Sequence, residues 1–283
     1  MAEKIDISNF ESDFDYRKAH DQYLIDLSVD LRPAPTALGI GHHDYKGNSY
    51  LNNTFSYGEF SAIVAASKSK KTFFKSALIA GFIGGNAANY FGSFVSCRSG
   101  EPFIIDIDTE QGDYYAQRAF RRVAEMVGTT YCNYLPFGLE ALDPNQIVEF
   151  IDGLLNDRRY KGKIAWMSID GVADLTVNTN DINESVAVAT KLKNWRREGN
   201  MHINTVIHKT STSDKATGHL GSYIQKKAET VILLKDTDDD YKVRNSPIEV
   251  SQIYSRGAPF DHFYFKLDNN TLPYECENDL TWT

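Results

Sequence analysis

The 283-residue sequence lacks the features that mark secreted and membrane proteins. Its three cysteines, Cys97, Cys132 and Cys276, have the spacing of neither a disulfide framework nor a zinc ribbon. Its longest apolar stretch, near residues 77–85, is too short to span a bilayer. The N-terminus is charged where a secretory signal would be apolar. We therefore expect a cytoplasmic protein that does not act at a membrane.

The sequence also lacks the excess of positive charge that is typical of proteins that coat duplex DNA. Its 38 aspartate and glutamate residues outnumber its 30 lysine and arginine residues, so the formal net charge is −8. Nucleic acid, if it is a ligand, must then bind a local basic surface. Each candidate surface, taken alone, is more simply a solvated helix face. The candidates are residues 68–71, Arg118, Arg121, Arg122, residues 191–197 and residues 226–227.

The hydrophobic pattern divides the chain into an N-terminal arm, residues 1–50, and one domain, residues 51–283. The arm is polar, contains Pro33 and Pro35, and has one short predicted helix within residues 21–31. In the domain, apolar runs of strand length alternate with segments of helical periodicity. This alternation predicts an α/β fold with a mostly parallel sheet flanked by helices.

The individual elements follow from these patterns and from capping signals such as Asp143-Pro144. The strands predicted for the parallel sheet are residues 59–66, 103–108, 131–135, 164–170, 203–208 and 229–234. The predicted helices are residues 71–82, residues 113–127, one that begins at Pro144, one that begins after Asp181, and residues 219–228. Residues 248–255 and 262–267 are predicted to add antiparallel strands.

The segment 65-AASKSKKT-72, between the first predicted strand and helix, has the layout of a phosphate-binding loop without its glycines. In G-x-x-x-x-G-K-[ST], the glycines permit a tight turn and a close approach of backbone to phosphate. Ala65 and Lys70 occupy those positions here. Lys71 is placed for the β- and γ-phosphates and Thr72 for Mg²⁺. By itself the loop is equally compatible with a basic helix start.

Three further polar groups directly follow predicted strands, where ligands bind in parallel α/β sheets. Glu110 is placed to orient and deprotonate an attacking water, or it belongs to a helix start. Asp170 has the position of a Mg²⁺ carboxylate, or it lies in an ordinary turn. His208 is placed to sense the γ-phosphate, or it is structural. The order of these groups along the chain is more specific than any one of them.

Together, four segments of the sequence resemble the RecA-like ATPases: AASKSKKT, FIIDIDTEQG, IAWMSIDGVADL and VIHKTSTSDKATGHLGS. The resemblance is to the branch that contains KaiC, the DnaB-type helicases and the plasmid helicase RepA. Within that branch, the sequence is similar to compact ATPases of bacterial mobile elements and phages. The resemblance extends over residues 33–267 and implies a RecA-like P-loop NTPase core with antiparallel strands added at the C-terminal edge.

The resemblance also implies a role for each matching residue. Lys71 acts on phosphate, Thr72 and Asp170 hold Mg²⁺, Glu110 activates water, and His208 is the sensor at the strand end. The residues implied in nucleotide binding by the loop are Ala66, Ser67, Lys68, Ser69, Lys70, Lys71, Thr72 and Phe73.

A RecA-like ATPase implies ATP and Mg²⁺ as ligands, a homo-oligomeric ring such as a hexamer, and single-stranded DNA as a partner. Arg256 is the candidate arginine finger for a neighbouring subunit, or a solvent-facing arginine at a strand end. Residues 209–218 form the candidate DNA-facing loop, or a plain surface loop. Thr217 stands where relatives carry arginine. The alternatives are a nucleotide-binding assembly module with little hydrolysis, which the altered loop favours, and a small-molecule kinase.

Overall fold

The computed structural model describes residues 15–28, 35–210, 214, 216–237 and 245–277, and the chain divides into two compact units between Ala34 and Pro35. In the first unit, α1 (Tyr16–Tyr23) begins at Asp15, whose carboxylate accepts the backbone N–H groups of Arg17 and Lys18. None of the eight residues of this described helix is buried. The helix predicted within residues 21–31 is wrong in position, because it ends at Tyr23; residues 29–31 lie outside the described residues.

The second unit begins with two strands that the sequence did not predict, β1 (Thr36–Tyr45) and β2 (Asn48–Ser56). They pair antiparallel, and β4 (Phe94–Ser96) completes a three-stranded sheet with β1. The predicted boundary at residue 50 therefore falls inside β2. The register of the β1–β2 pair shifts repeatedly along its length, so no clean two-residue period marks these strands in the sequence.

A larger sheet forms the centre of the second unit. Its parallel strands are β3 (Phe60–Ala65), β5 (Phe103–Asp108), β6 (Tyr134–Gly138), β7 (Ile164–Asp170), β8 (His202–His208) and β9 (Thr230–Asp236). Its antiparallel strands are β10 (Ile248–Ser255), β11 (Phe263–Leu267) and β12 (Pro273–Cys276). Within the described residues, the strand order is β12-β11-β10-β9-β3-β8-β7-β5-β6.

Helices cover both faces of this sheet. The helices on one face are α2 (Lys71–Ile83) and α3 (Asp113–Val127); those on the other are α4 (Pro144–Asn156), α5 (Ile182–Gly199) and α6 (Gly218–Lys227). Alternate residues of β3 belong to the two separate hydrophobic cores, Ile63 to the first and Val64 to the second. The central strands are buried on both faces, which is why they read as continuous apolar runs.

The predicted α/β fold, with a mostly parallel sheet, flanking helices and antiparallel strands at the C-terminal edge, is confirmed. The predicted cap at Asp143 is also confirmed, and Gln146 returns a hydrogen bond to it. The strand predicted at residues 131–135 lies instead at Tyr134–Gly138, because residues 132–133 form a turn. In the described part of the chain, every helix is too short or too polar to span a bilayer.

A histidine is buried in the core at the start of β8. His202 Nδ1 lies 2.9 Å from the carbonyl oxygen of Ser56, and Nε2 lies 2.8 Å from Ser61 Oγ. A carbonyl can only accept, so Nδ1 carries the proton and Nε2 accepts from the serine hydroxyl. The ring also packs against Phe55 and Trp166. Burial lowers the pKa of His202 to about 3, so the folded chain holds a neutral imidazole.

This histidine predicts an acid-sensitive fold. Below pH 6.5 the unfolded state binds a proton at His202 that the folded state rejects, so stability falls with pH until about pH 3. Between pH 7 and pH 5 the loss from this residue is about 2 kcal/mol. Urea unfolding at several pH values should therefore show a shallower pH slope for His202→Gln than for the wild-type chain. Equal slopes would contradict the buried neutral ring.

Candidate functional site

The candidate site lies at the edge where the central parallel strands end. Ala65 at the end of β3 pairs with His208 at the end of β8. Asp170 at the end of β7 pairs with Val206 on β8 and with Asp108 at the end of β5. The sheet register therefore brings the loop after β3 together with His208, Asp170 and the segment after Asp108, as the sequence predicted.

The loop of residues 66–70 leads from β3 into α2 without glycine. Lys68 and Lys70 have φ angles of 66° and 57°, in the left-handed region that glycine usually occupies. The Lys70 ammonium donates a hydrogen bond of 2.9 Å to the carbonyl of Ser246. Burial lowers the pKa of Lys70, and the nearby Asp236 opposes that shift. Lys70 thus takes up a glycine-like backbone conformation while its side chain is held against Ser246.

Lys71, the first residue of α2, is largely buried at the mouth of the loop. Its Nζ donates to the Ala66 carbonyl at 3.3 Å and to His208 Nδ1 at 2.8 Å. Burial lowers the pKa of Lys71, whereas the charges of Glu110 and Asp170 raise it. Its hydrogen-bond partners are a carbonyl and an imidazole ring, so neither is a carboxylate that would cancel the ammonium charge by a direct ion pair.

His208 links this lysine to Glu110. Lys71 Nζ also lies 3.4 Å from His208 Nε2, and the same nitrogen lies 3.6 Å from Glu110 Oε1. His208 holds the pKa of Glu110 below its usual range, and burial partly opposes the shift. Glu110 is therefore an ionised carboxylate at neutral pH, which is the state a general base requires.

Asp108 shapes the segment that carries Glu110. One oxygen of its carboxylate accepts the backbone N–H groups of Glu110 and Gln111, at 3.1 and 2.8 Å. The other oxygen accepts the Gln111 side-chain amide at 2.6 Å. Burial raises the pKa of Asp108 to about 6. The alternative interpretation of this segment as a helix start is not what the structure forms, since α3 begins only at Asp113 with Gly112 as its cap.

Thr72 and Asp170 supply neighbouring oxygen atoms on the other side of Lys71. The Thr72 hydroxyl donates a 3.0 Å hydrogen bond to Asp170 Oδ2. Burial raises the pKa of Asp170, and the charge of Lys75 opposes the shift. The Thr72 hydroxyl lines the cavity and the Asp170 carboxylate is buried in contact with it, and such hard oxygen donors are the ones that Mg²⁺ prefers. These residues therefore fit the predicted metal.

A cavity of about 350 Å³ opens above these groups. Its walls are the loop, the segment after β5 and the exposed side of α3. The lining residues are Ser67, Lys68, Ser69, Lys70, Lys71, Thr72, Phe73, Glu110, Gln111, Tyr115, Arg118, Ala119, Arg122 and His208. Every predicted loop residue except Ala66, whose carbonyl instead holds Lys71, is thus on the cavity wall.

No family model and no curated protein matches this chain. Among solved structures, it is similar to the crystal structure of the KaiC-like protein PH0186 from the hyperthermophilic archaeon Pyrococcus horikoshii OT3. The TM-score is 0.53 and the sequence identity 12%, and the match covers 79% of this chain and 92% of that one. The chain has a KaiC-like fold. The RecA-like architecture predicted from the sequence is thereby confirmed.

Arg256 does not reach the cavity of its own KaiC-like domain. It follows β10, whose last residue, Ser255, pairs with Thr230 at the start of β9. Arg256 therefore lies at the amino ends of the parallel strands, whereas the loop lies at their carboxyl ends. The six residues of β3 that separate these two ends span about 20 Å. Arg256 lies 3.5 Å from Glu59 Oε1 and donates to the carbonyl of Lys227 at 3.1 Å.

The basic segment on α3 is not a uniform charged surface. Arg122 is buried: its guanidinium stacks on the Phe73 ring at 3.8 Å and donates to Ser76 Oγ at 3.2 Å. Burial lowers the pKa of Arg122 to about 10. Arg118 instead lines the cavity. Arg118 and Arg121 are both exposed, which is the position that the sequence favoured for them.

Sequence reasoning missed several residues that build the site. No role in the site was predicted for Asp108, although a second aspartate two positions after Asp106 in a buried strand marks a side chain on the same face. Lys75 was overlooked within an apolar helix, although its four-residue spacing from Lys71 places both lysines on one side. The remaining unpredicted wall residues are Gln111, Tyr115, Arg118, Ala119 and Arg122.

The left-handed conformation at Lys70 predicts an unusual order of stability. Lys70→Gly and Lys70→Ala both remove the hydrogen bond to Ser246, but only glycine fits the positive φ without strain. We expect the glycine variant to be more stable than the alanine variant by about 1 kcal/mol, measured by urea unfolding.

The same pair of substitutions at Lys193 provides the control. Lys193 is exposed on α5, where alanine should be more stable than glycine by about 1 kcal/mol. An alanine variant that is also the more stable one at position 70 would contradict the glycine-like loop.

Proposed function

We propose that this chain is a Mg²⁺-dependent ATPase that acts on DNA as a helicase-like motor in replication, recombination or mobilisation. One observation carries the proposal: residues 67–70 of the loop, Thr72 and the ionised Glu110 line a single cavity, and the buried Asp170 lies directly behind Thr72. The resemblance to RecA-like ATPases and the KaiC-like fold both support it.

The phosphates of ATP would bind between the loop and the first turn of α2. The N–H groups at a helix N-terminus have no acceptor within the helix, and the helix dipole favours an anion there. Lys71 adds a positive charge, and its hydrogen-bond partners, the Ala66 carbonyl and the His208 ring, include no carboxylate. Phosphate would therefore find both backbone donors and an ammonium group at the same end of the cavity.

Thr72 and Asp170 would hold Mg²⁺. Bound there, the ion would neutralise charge on the β- and γ-phosphates. The hydrogen bond between the Thr72 hydroxyl and Asp170 positions both oxygens in advance. Asp170 is almost fully buried, so its carboxylate is held in a fixed orientation.

Glu110 would orient a water molecule for in-line attack on the γ-phosphoryl group and accept its proton. The bond between the β–γ bridging oxygen and the γ-phosphorus breaks, which releases ADP and inorganic phosphate. Asp108 fixes the backbone of Glu110, and His208 contacts both Glu110 and Lys71. His208 is thus placed to respond to the loss of the γ-phosphate. Catalysis would rest on positioning and charge neutralisation.

A homo-oligomeric ring is the second part of the proposal. Arg256 is half exposed and lies at the edge of the sheet opposite to its own cavity. From that edge it is placed to act in the cavity of a neighbouring copy. Single-stranded DNA would contact the segment of residues 209–218, in which Lys209 pairs with Asp214 at 2.9 Å; residues 211–213 and 215 lie outside the described residues.

A nucleotide-binding assembly module with little hydrolysis is the second candidate. The observation that favours it is the loop itself, where Ala65 and Lys70 stand at the glycine positions and Lys68 and Lys70 adopt left-handed backbone conformations. Such a loop would bind phosphate but adapt less readily as the transition state forms.

Glu110→Gln separates the two candidates. For a hydrolysing enzyme, loss of the general base should lower the rate of ATP turnover by about 10²- to 10⁴-fold while ATP affinity is retained. The measurement is phosphate release by purified protein with Mg²⁺, with and without single-stranded DNA. Glu101→Gln, at an exposed position outside the cavity lining, is the matched control and should turn over ATP like the wild-type chain.

The pattern of ATP turnover distinguishes the motor ATPase from the assembly module. Turnover that is stimulated by DNA and lost in Glu110→Gln supports the motor ATPase. ATP binding without turnover, unchanged in Glu110→Gln, supports the assembly module. Turnover that DNA does not affect would contradict the proposed action on DNA.

A further inference from the structure

A second lysine lies behind the phosphate-binding loop, and the proposed reaction does not use it. Lys75 follows Lys71 by one helical turn on α2 and is 0% exposed. It lies in the apolar run 73-FFKSALIAGF-82, where a fully buried ammonium group is costly unless opposite charges surround it. The opposite charges that surround it are buried carboxylates on the strands beneath α2.

Two of these carboxylates share the Lys75 ammonium. Nζ lies 2.9 Å from Asp106 Oδ1 and 3.5 Å from Asp170 Oδ2. The second oxygen is the same atom that accepts the Thr72 hydroxyl. The contact with Asp106 has the length of a charge-assisted hydrogen bond, whereas the contact with Asp170 is longer, so Asp106 is the closer partner of the lysine.

The surrounding charges are not balanced by this lysine alone. Asp106, Asp108 and Asp170 are all buried on the adjacent strands β5 and β7, so three carboxylates face one internal ammonium. Asp106 also accepts a 2.7 Å hydrogen bond from the Tyr134 hydroxyl, on the side away from the cavity. Asp106 is thus anchored within the protein, while Asp170 stands between Lys75 and the threonine that borders the cavity.

We propose that Lys75 is a positioning residue, an internal cation that holds the Asp170 carboxylate in place and competes with Mg²⁺ for it. The inference rests on the proposed function, because it assigns Asp170 to the metal. Asp106 weakens the attraction between the Lys75 ammonium and Asp170, because it makes the closer contact with the ammonium. The strength of Mg²⁺ binding is then set by how the charge of Lys75 divides between the two aspartates.

This arrangement predicts that substitutions of Lys75 and of Asp106 shift the Mg²⁺ concentration at half-saturation in opposite directions. Lys75→Met removes the competing charge and should lower the Mg²⁺ concentration at half-saturation by at least about tenfold, because a unit charge several ångströms from a divalent ion has that effect even at the dielectric of water. Asp106→Asn leaves the whole lysine charge to Asp170 and should raise the half-saturation concentration. The double variant restores the charge balance and should return it toward the wild-type value.

The readout is binding rather than turnover. A fluorescent, slowly hydrolysed ATP analogue is held at fixed concentration with each variant, MgCl₂ is titrated, and fluorescence reports bound nucleotide. Thermal unfolding of each variant is measured alongside. If Lys75 were only structural, both single variants would shift the Mg²⁺ dependence in the same direction or leave it unchanged, and either result would overturn the proposal.

The role of Lys75 can be tested even if one variant does not fold, and separately from the proposed function. If Lys75→Met does not fold, Asp106→Asn and the double variant still differ only by the lysine charge, so the same comparison is available. Replacing a buried ion pair at both ends is tolerated better than breaking it at one end. If the wild-type chain binds no nucleotide, or binds it without any Mg²⁺ dependence, the proposed function fails. Mg²⁺-dependent binding that the variants leave unshifted contradicts only the role of Lys75.

Discussion

The in-register pairing of four parallel strands is the constraint on which the candidate site depends. β3, β8, β7 and β5 lie side by side and end at one edge of the sheet. The loop of residues 66–70, His208, Asp170 and the segment that carries Glu110 each lie at or directly after one of these ends. A shift of register by one residue would turn the terminal side chains to the other face of the sheet and separate His208 and Asp170 from the loop.

The loop of residues 66–70 accommodates a side chain at a position where the phosphate-binding pattern has glycine. A side chain at a glycine position costs backbone strain and occupies space near the ligand. At the glycine position 70, Lys70 adopts a left-handed conformation, as does Lys68 two residues earlier. The Lys70 side chain is held by a hydrogen bond to Ser246, in the segment that leads into β10. That segment thereby helps to support the loop of residues 66–70.

The fold was largely predictable because its central strands and amphipathic helices carry strong periodic signals. The predicted bounds of β5, β7 and α3 agree with the structure, since apolar runs and capping residues define them. β1 and β2 gave no such signal because their register shifts several times. Side-chain direction was harder to infer: Lys75 and Arg122 are basic residues in helices, and only packing decides that both are buried.

We propose that a loop without glycine binds the phosphates of ATP through Lys71. Calorimetric titration of the wild-type chain and Lys71→Ala with a slowly hydrolysed ATP analogue and Mg²⁺ tests this proposal most directly. We expect saturable binding to the wild-type chain and a loss of affinity of at least about tenfold in the variant, the effect of removing one charge-assisted contact. Equal binding by both proteins, or no binding by either, would contradict it.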